Sequence, residues 1–223
     1  MSRFKRSLDI NDLLYEKALK DTADFVYSEM QRATFFRTRE ELWKFSVFNS
    51  NLKEAKIKSK MNKYFFAEFG IWKGYSINYF STLLPSITLH GFDSFFGLNE
   101  DWSGTQIKMG HFNVGGKIPK INENVIIHPG FFVDTAPKFL RSIGKLQAGI
   151  IHIDCDTFES TSFVLQAMKT TIKKGTLIIF DEFMGYPNWR AHEFKAWSEF
   201  SIQNKIKYEF IAYTQVGVAV VIK

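Results

Sequence analysis

The chain has little that could staple it or anchor it. It carries one cysteine, Cys155, in 223 residues, so no intrachain disulfide can form, and that usage fits a reducing compartment. Long apolar runs are missing too: no window approaches the roughly 18 consecutive apolar residues of a membrane span. The opening Met1-Ser2-Arg3-Phe4-Lys5-Arg6 runs into charged sequence, without the apolar core of ~7–15 residues that a signal peptide needs. A soluble cytoplasmic protein is expected. There are no repeats and no low-complexity linker. A dense basic block is also lacking, although the formal net charge is +6. The basic residues are richest at Arg3, Lys5 and Arg6 and again at Lys53, Lys56, Lys58, Lys60 and Lys63. Spread in this way they read as a solvated helix face, not a nucleic-acid or membrane contact. An anionic small substrate stays open.

What is present is ordinary for a folded soluble chain. Hydrophobic residues make up 45% and charged residues 23%, and the length suits one domain with some decoration. The 24 Phe are the outlier.

Residues 8–60 read as helical. Leu13, Leu14, Ala18, Ala23, Phe25 and Val26 recur at helical spacing, and Thr38-Arg39-Glu40-Glu41 offers a capping start for a second helix. From residue 64 short apolar runs alternate with helical stretches. Strands are expected at 64–69, 87–92, 125–128, 148–153, 176–180, 207–213 and 216–222, and helices at 75–84, 135–143, 160–172 and 191–203. That alternation predicts an α/β fold: a doubly wound, Rossmann-like sheet, mostly parallel. The last two strands are too close in sequence for anything but an antiparallel hairpin. Residues 1–61 form an N-terminal helical extension or lid, and residues 62–223 the main domain. Residues 94–121 exceed an ordinary loop and read as a lid-like insertion.

Ligands in such sheets sit at the carboxyl ends of the strands, so the residues at those ends matter most. After the first strand comes Glu68-Phe-Gly-Ile-Trp-Lys-Gly-Tyr-Ser76. Gly70 and Gly74 bracket a tight turn, and the helix start at Gly74 to Ser76 offers free N–H groups to a carboxylate. The same glycine pair also suits an ordinary strand–helix turn. It lacks the three glycines of a dinucleotide fingerprint. Asp93, after the second strand, is placed to bind both hydroxyls of a ribose, or else to cap a turn. Gly130, Phe131 and Phe132 offer an adenine a packing surface, or are core aromatics before a helix. Asp154, Asp156, Asp181 and Glu182 emerge from two strands that should be neighbours. Four carboxylates this close repel, and a divalent cation with oxygen ligands relieves the repulsion. All-oxygen donors favour magnesium, manganese or calcium over zinc. His192 can be read as a general base or as the exposed start of a helix. His152, inside a strand, reads as a packed core residue.

Taken in order, Glu68-Phe-Gly-Ile-Trp-Lys-Gly-Tyr-Ser76, Gly91-Phe-Asp-Ser-Phe-Phe-Gly-Leu-Asn-Glu-Asp-Trp102, Ile153-Asp-Cys-Asp156 and Phe180-Asp-Glu182 resemble the macrocin O-methyltransferase family. These are class I methyltransferases that act on sugar hydroxyls. The resemblance runs from about residue 62 to about residue 200. It implies S-adenosylmethionine as cofactor: Glu68, Gly70, Gly74 and Ser76 would hold its methionine part, Asp93 and Ser94 its ribose, and Gly130, Phe131 and Phe132 its adenine. It implies Mg2+ or Mn2+ on Asp154, Asp181 and Glu182, with Asp156 as general base. Glu182 departs from the pattern, where better-known members have Asp. The implied partner is a small-molecule substrate, a sugar or glycan precursor, and a homo-oligomer is in keeping with the family. A catechol-type or other vicinal-diol O-methyltransferase would use the same acids. A non-catalytic nucleoside- or glycan-binding module would be expected to have lost them.

Overall fold

The computed structural model describes residues 9–52 and 63–223. The basic residues Arg3, Lys5 and Arg6 and the lysines from Lys53 to Lys60 lie outside the described residues. Among the described residues no helix is long and apolar enough to cross a membrane.

The chain opens with α1 (Ile10–Glu29), a two-residue strand β1 (Thr34–Phe35) and α2 (Arg39–Asn49). It continues through β2 (Tyr64–Phe69), α3 (Tyr75–Leu83), β3 (Leu89–Asp93), β4 (Val125–Pro129), α4 (Phe132–Ile143), β5 (Gln147–Ile153), α5 (Phe158–Met168) and β6 (Leu177–Phe180). A single 3₁₀ turn (Trp189–Ala191), α6 (Glu193–Gln203), β7 (Tyr208–Tyr213) and β8 (Val218–Ile222) complete it. The eight strands form one sheet in the order β1-β7-β8-β6-β5-β2-β3-β4. Every neighbouring pair is parallel except β6–β8 and β7–β8. The α/β fold with a closing antiparallel hairpin is thus what the strand pattern predicts. Within the hairpin β8 slots between β6 and β7. One detail differs: residues 8–60 are not helical throughout, since the chain leaves the helix after Glu29 and β1 extends the sheet beside β7, Thr34 opposite Ala212. Thr34 and Phe35 are both exposed, so no apolar alternation marks the strand.

Strand alternation sorts the core. Phe65, Ala67 and Phe69 of β2, with Ile151 and Ile153 of β5, face the helices α4, α5 and α6. Phe66 of β2, with Ile150 of β5 and Leu177 and Ile179 of β6, faces α2 and α3. A period of two therefore puts Glu68 and His152 on the α2–α3 face as well. They are register partners, and His152 in turn pairs with Ile179. Asp181, two residues past Ile179, continues the same row. The sheet reverses its order between β2 and β5, and ligands in open sheets bind at that reversal.

Candidate active site

A cleft of about 460 Å³ opens at the carboxyl ends of β2 to β6. Gly70, Ser76, Asp93, Ser94, Phe131, Phe132, Asp154, Asp156 and Glu182 all line it. Gly74 and Gly130 do not. Gly74 caps the start of α3 and Gly130 joins β4 to α4, so they shape the loops from behind.

One half of the cleft is built around the turn after β2. Gly70 has φ +96°, and a Cβ there would lie 1.7 Å from the carbonyl oxygen of Asp154. Only glycine permits both that backbone and that approach. Asp93 fastens the turn: its Oδ2 accepts the N–H groups of Ile71 and Trp72, each at 2.7 Å. Its Oδ1 accepts Phe95 N–H at 2.6 Å. A carboxylate offers about four acceptor positions, so Asp93 organises the turn and keeps capacity towards the cleft. Ser76 Oγ donates to the buried Glu68 Oε1 at 2.6 Å, tying the start of α3 to β2.

The other half is acidic. One ligand-spaced group is Asp154, Asp156 and Glu182; another is His152, Asp154 and Asp181, with side-chain atoms in each group within 4.8 Å of one another. The expected trio Asp154, Asp181 and Glu182 is therefore split between two groups that share Asp154. The reason lies in what holds Asp181. Its Oδ1 is 3.4 Å from His152 Nε2 and its Oδ2 is 3.3 Å from an Arg39 guanidinium nitrogen. His152 is buried, but it is no inert core residue. Burial alone would keep it neutral, yet Asp181 and Glu68 push its pKa up to about 10. Its Nδ1 lies 3.2 Å from Glu68 Oε2, in an ion contact without hydrogen-bond alignment. Ser76, Glu68, His152, Asp181 and Arg39 thus form one chain of polar contacts across β2, β5 and the end of β6. Burial opposes ionisation of Asp181, but His152 and Arg39 outweigh it and hold its pKa low.

For the other acids of the rim, burial and like charge outweigh any nearby cation. Burial first, then the charge of Asp181, drives Asp154 and Glu182 well above the usual carboxylate range. Asp156 is pushed up to about 7 by burial and by Asp181 and Asp93. Its backbone has φ +63°, and Thr157 N–H bonds back to Cys155 carbonyl at 2.6 Å across it. That is a γ-turn of the strained kind, and such strain clusters at functional positions. Glu193, at the start of α6, is a further buried acid: Oε2 accepts Glu182 N–H at 3.1 Å, and Oε1 has no partner. Glu182 Oε2 also lacks one.

His192 is absent from the cleft lining. Its Nε2 is 2.8 Å from the Ser103 carbonyl oxygen, so it fastens the segment 94–121 to the start of α6. Asn188 Nδ2 donates to Ser103 Oγ at 2.7 Å in the same place. That segment forms a wall of the cleft through Gly97, Leu98, Asn99, Trp102 and Phe112. Arg39 and Glu193 are the residues that the sequence reading missed. Arg39 carried a faint signal, a cation in the first turn of a capped helix; Glu193 carried none.

The profile of a family described as "Methyltransferase domain" matches residues 67–183, just over half of the chain. Three solved structures share the fold. The calicheamicin methyltransferase CalS11 aligns with a TM-score of 0.60 and 17% identity, covering 99% of this chain and 97% of that one. The O-methyltransferase NovP aligns with a TM-score of 0.58 and 19% identity, covering 95% and 98%. An apo form of CalS11, described as a TDP-rhamnose 3'-O-methyltransferase, gives 0.54 and 16%, covering 99% of each. No curated protein matches by sequence.

Proposed function

The chain belongs to the methyltransferase-domain family and is an S-adenosylmethionine-dependent methyltransferase, and from that premise we propose that it methylates a hydroxyl of a sugar or sugar-containing small molecule. One observation carries the reading: a glycine turn suited to the cofactor and a rim of buried acids share a single cleft. The sugar as acceptor is supported by the neighbour described as a TDP-rhamnose 3'-O-methyltransferase.

Bound S-adenosylmethionine supplies a methyl group activated on a sulfonium, so the protein's task is position. In this reading the turn at Gly70 and the start of α3, with Glu68 and Ser76, receive the methionine part. Asp93 and Ser94 take the ribose, and Phe131 and Phe132 pack on the adenine. The acceptor hydroxyl lies against Asp156, which takes its proton; a base with a pKa near the working pH serves best. α2 and the segment 94–121 cover the acceptor and exclude water.

The rim also suits a divalent cation. Asp154, Asp156 and Glu182 bring hard oxygen donors together, and Glu182 Oε2 is buried without a partner. When bound there, Mg2+ or Mn2+ would acidify and fix neighbouring acceptor hydroxyls. Asp154 and Glu182 would hold it, and Asp181 would join them on turning from Arg39.

Incubation with S-adenosylmethionine and a panel of free and nucleotide-linked sugars, with Mg2+ or with chelator, tests the proposal. Mass spectrometry should find a singly methylated sugar. Methylation of catechols and of no sugar in the panel would replace the sugar with a vicinal diol; no methylation at all would defeat the acceptor assignment.

A further inference from the structure

We infer that Arg39 is a built-in counter-ion of the acid rim, one that competes with a divalent cation for Asp181. The inference rests on reading the rim as the acceptor and metal half of the cleft.

Its position is the first sign. Arg39 is the first residue of α2, directly after the cap Thr38, whose Oγ1 accepts Glu41 N–H at 3.3 Å while the Glu41 carboxylate accepts Thr38 N–H at 3.1 Å. The N-terminus of a helix is its positive end, where a cation is disfavoured. Locally Arg39 meets the Glu40 carboxylate at 3.8 Å, beyond hydrogen-bond distance. The rim offers a closer partner. The guanidinium reaches 3.3 Å from Asp181 Oδ2 and lies in the field of Asp154. Two rings guide it, Trp43 at 5.1 Å and Tyr75 at 5.3 Å, and the Tyr75 hydroxyl donates to Glu40 Oε1 at 2.9 Å.

The second sign is what this contact does to the acids. Asp181 is engaged on both sides, by His152 Nε2 at 3.4 Å and by the Arg39 guanidinium at 3.3 Å, whereas Glu182 keeps a buried oxygen with no partner. The acid expected beside Glu182 on a metal faces Arg39 instead. A divalent ion entering the rim would repel the guanidinium and offer Asp181 a stronger partner. The Arg39 side chain is 48% exposed, so it can swing into water without disturbing the core. Two cations that share a carboxylate exclude one another, and such coupling is reciprocal.

The sign of the effect separates competition from mere structural support. Mn2+ would be titrated into the full chain by calorimetry, without acceptor, for the wild type, Arg39→Gln and Arg39→Lys. Competition predicts that Arg39→Gln binds Mn2+ on the order of tenfold more tightly, with Arg39→Lys in between. The metal-free Arg39→Gln protein should melt at a lower temperature, because the acids lose a counter-ion, and Mn2+ should raise its melting temperature more than it raises the wild type's. Equal or weaker Mn2+ binding in Arg39→Gln, or none in either protein, overturns the inference. S-adenosylhomocysteine is titrated in parallel. If the wild type fails to bind it, the cofactor reading falls, and the Mn2+ comparison still decides the role of Arg39.

Discussion

At the ends of β2 and β3 the polar groups facing the cleft are already partnered, whereas at the ends of β5 and β6 buried carboxylates crowd together with oxygens to spare. Asp93 accepts three backbone N–H groups, and Glu68 accepts from Ser76 while its second oxygen, without a hydrogen bond, lies 3.2 Å from His152 Nδ1. Glu182 and Glu193 each keep a buried oxygen without a partner. The first half is a preformed mould whose hydrogen bonds hold its shape in the absence of any ligand. The second half stores electrostatic strain that a ligand, a proton or Arg39 must relieve. The difference separates two tasks: holding a large cofactor in one fixed pose, and changing the charge state of an acceptor. Departures from local stability rules are expected at functional sites; backbone strain occurs in both halves, at Trp72 and Phe95 as at Asp156, while the crowding of acids falls on the second.

If that division is right, substitutions in the two halves should fail in different ways. Asp156→Asn should lower kcat by ~10²–10⁴, the usual contribution of a general base, with S-adenosylhomocysteine affinity unchanged by calorimetry. Gly70→Ala should do the reverse. Its Cβ has no room beside Asp154 and its φ is wrong for alanine, so cofactor binding should be lost. Thermal unfolding should show destabilisation of roughly 3 kcal/mol from strain and overpacking. Asp93→Ala should weaken S-adenosylhomocysteine and destabilise the fold by ~2 kcal/mol, since it strands donors of the turn. A loss of turnover with normal cofactor affinity in Gly70→Ala would erase the distinction between the halves.

The smallest effect concerns His90, on β3 beneath the cofactor half. Burial first, then the neighbouring His128 at 3.1 Å, depresses its pKa to about 4. The unfolded chain would titrate near 6.5. Above that pH neither state is charged and stability is unaffected. As the pH falls from 6.5 towards 4, only the unfolded chain takes up the proton, and stability declines by on the order of 2 kcal/mol, allowing for solvent screening. His90→Phe should flatten this part of the stability–pH curve in chemical denaturation.

Much of this arrangement was legible beforehand, and for identifiable reasons. The strands from β2 to β6 announced themselves by short, mostly apolar runs, and each ended in a glycine or an acid. Local pattern therefore placed Gly70, Asp93, Asp154 and Asp156 around one cleft. What pattern could not show depended on distant partners. β1 has two exposed residues, and pairing with β7 rather than apolar alternation makes it a strand. His152 read as core from its isoleucine neighbours and is fully buried; its contacts with Glu68 and Asp181 reach across strands and left no local trace. Arg39 meets Asp181 across 142 positions of sequence. His192 could be read as a general base or as a helix start, and residue type alone did not show that its ring nitrogen meets the Ser103 carbonyl.

Calorimetric titration of S-adenosylhomocysteine into the wild type, Gly70→Ala and Asp156→Asn tests most directly whether one cleft joins a cofactor mould to an acidic acceptor rim. The account predicts micromolar binding to the wild type and to Asp156→Asn, and none to Gly70→Ala. Undiminished binding to Gly70→Ala, or binding of NAD in place of the thioether, would contradict it.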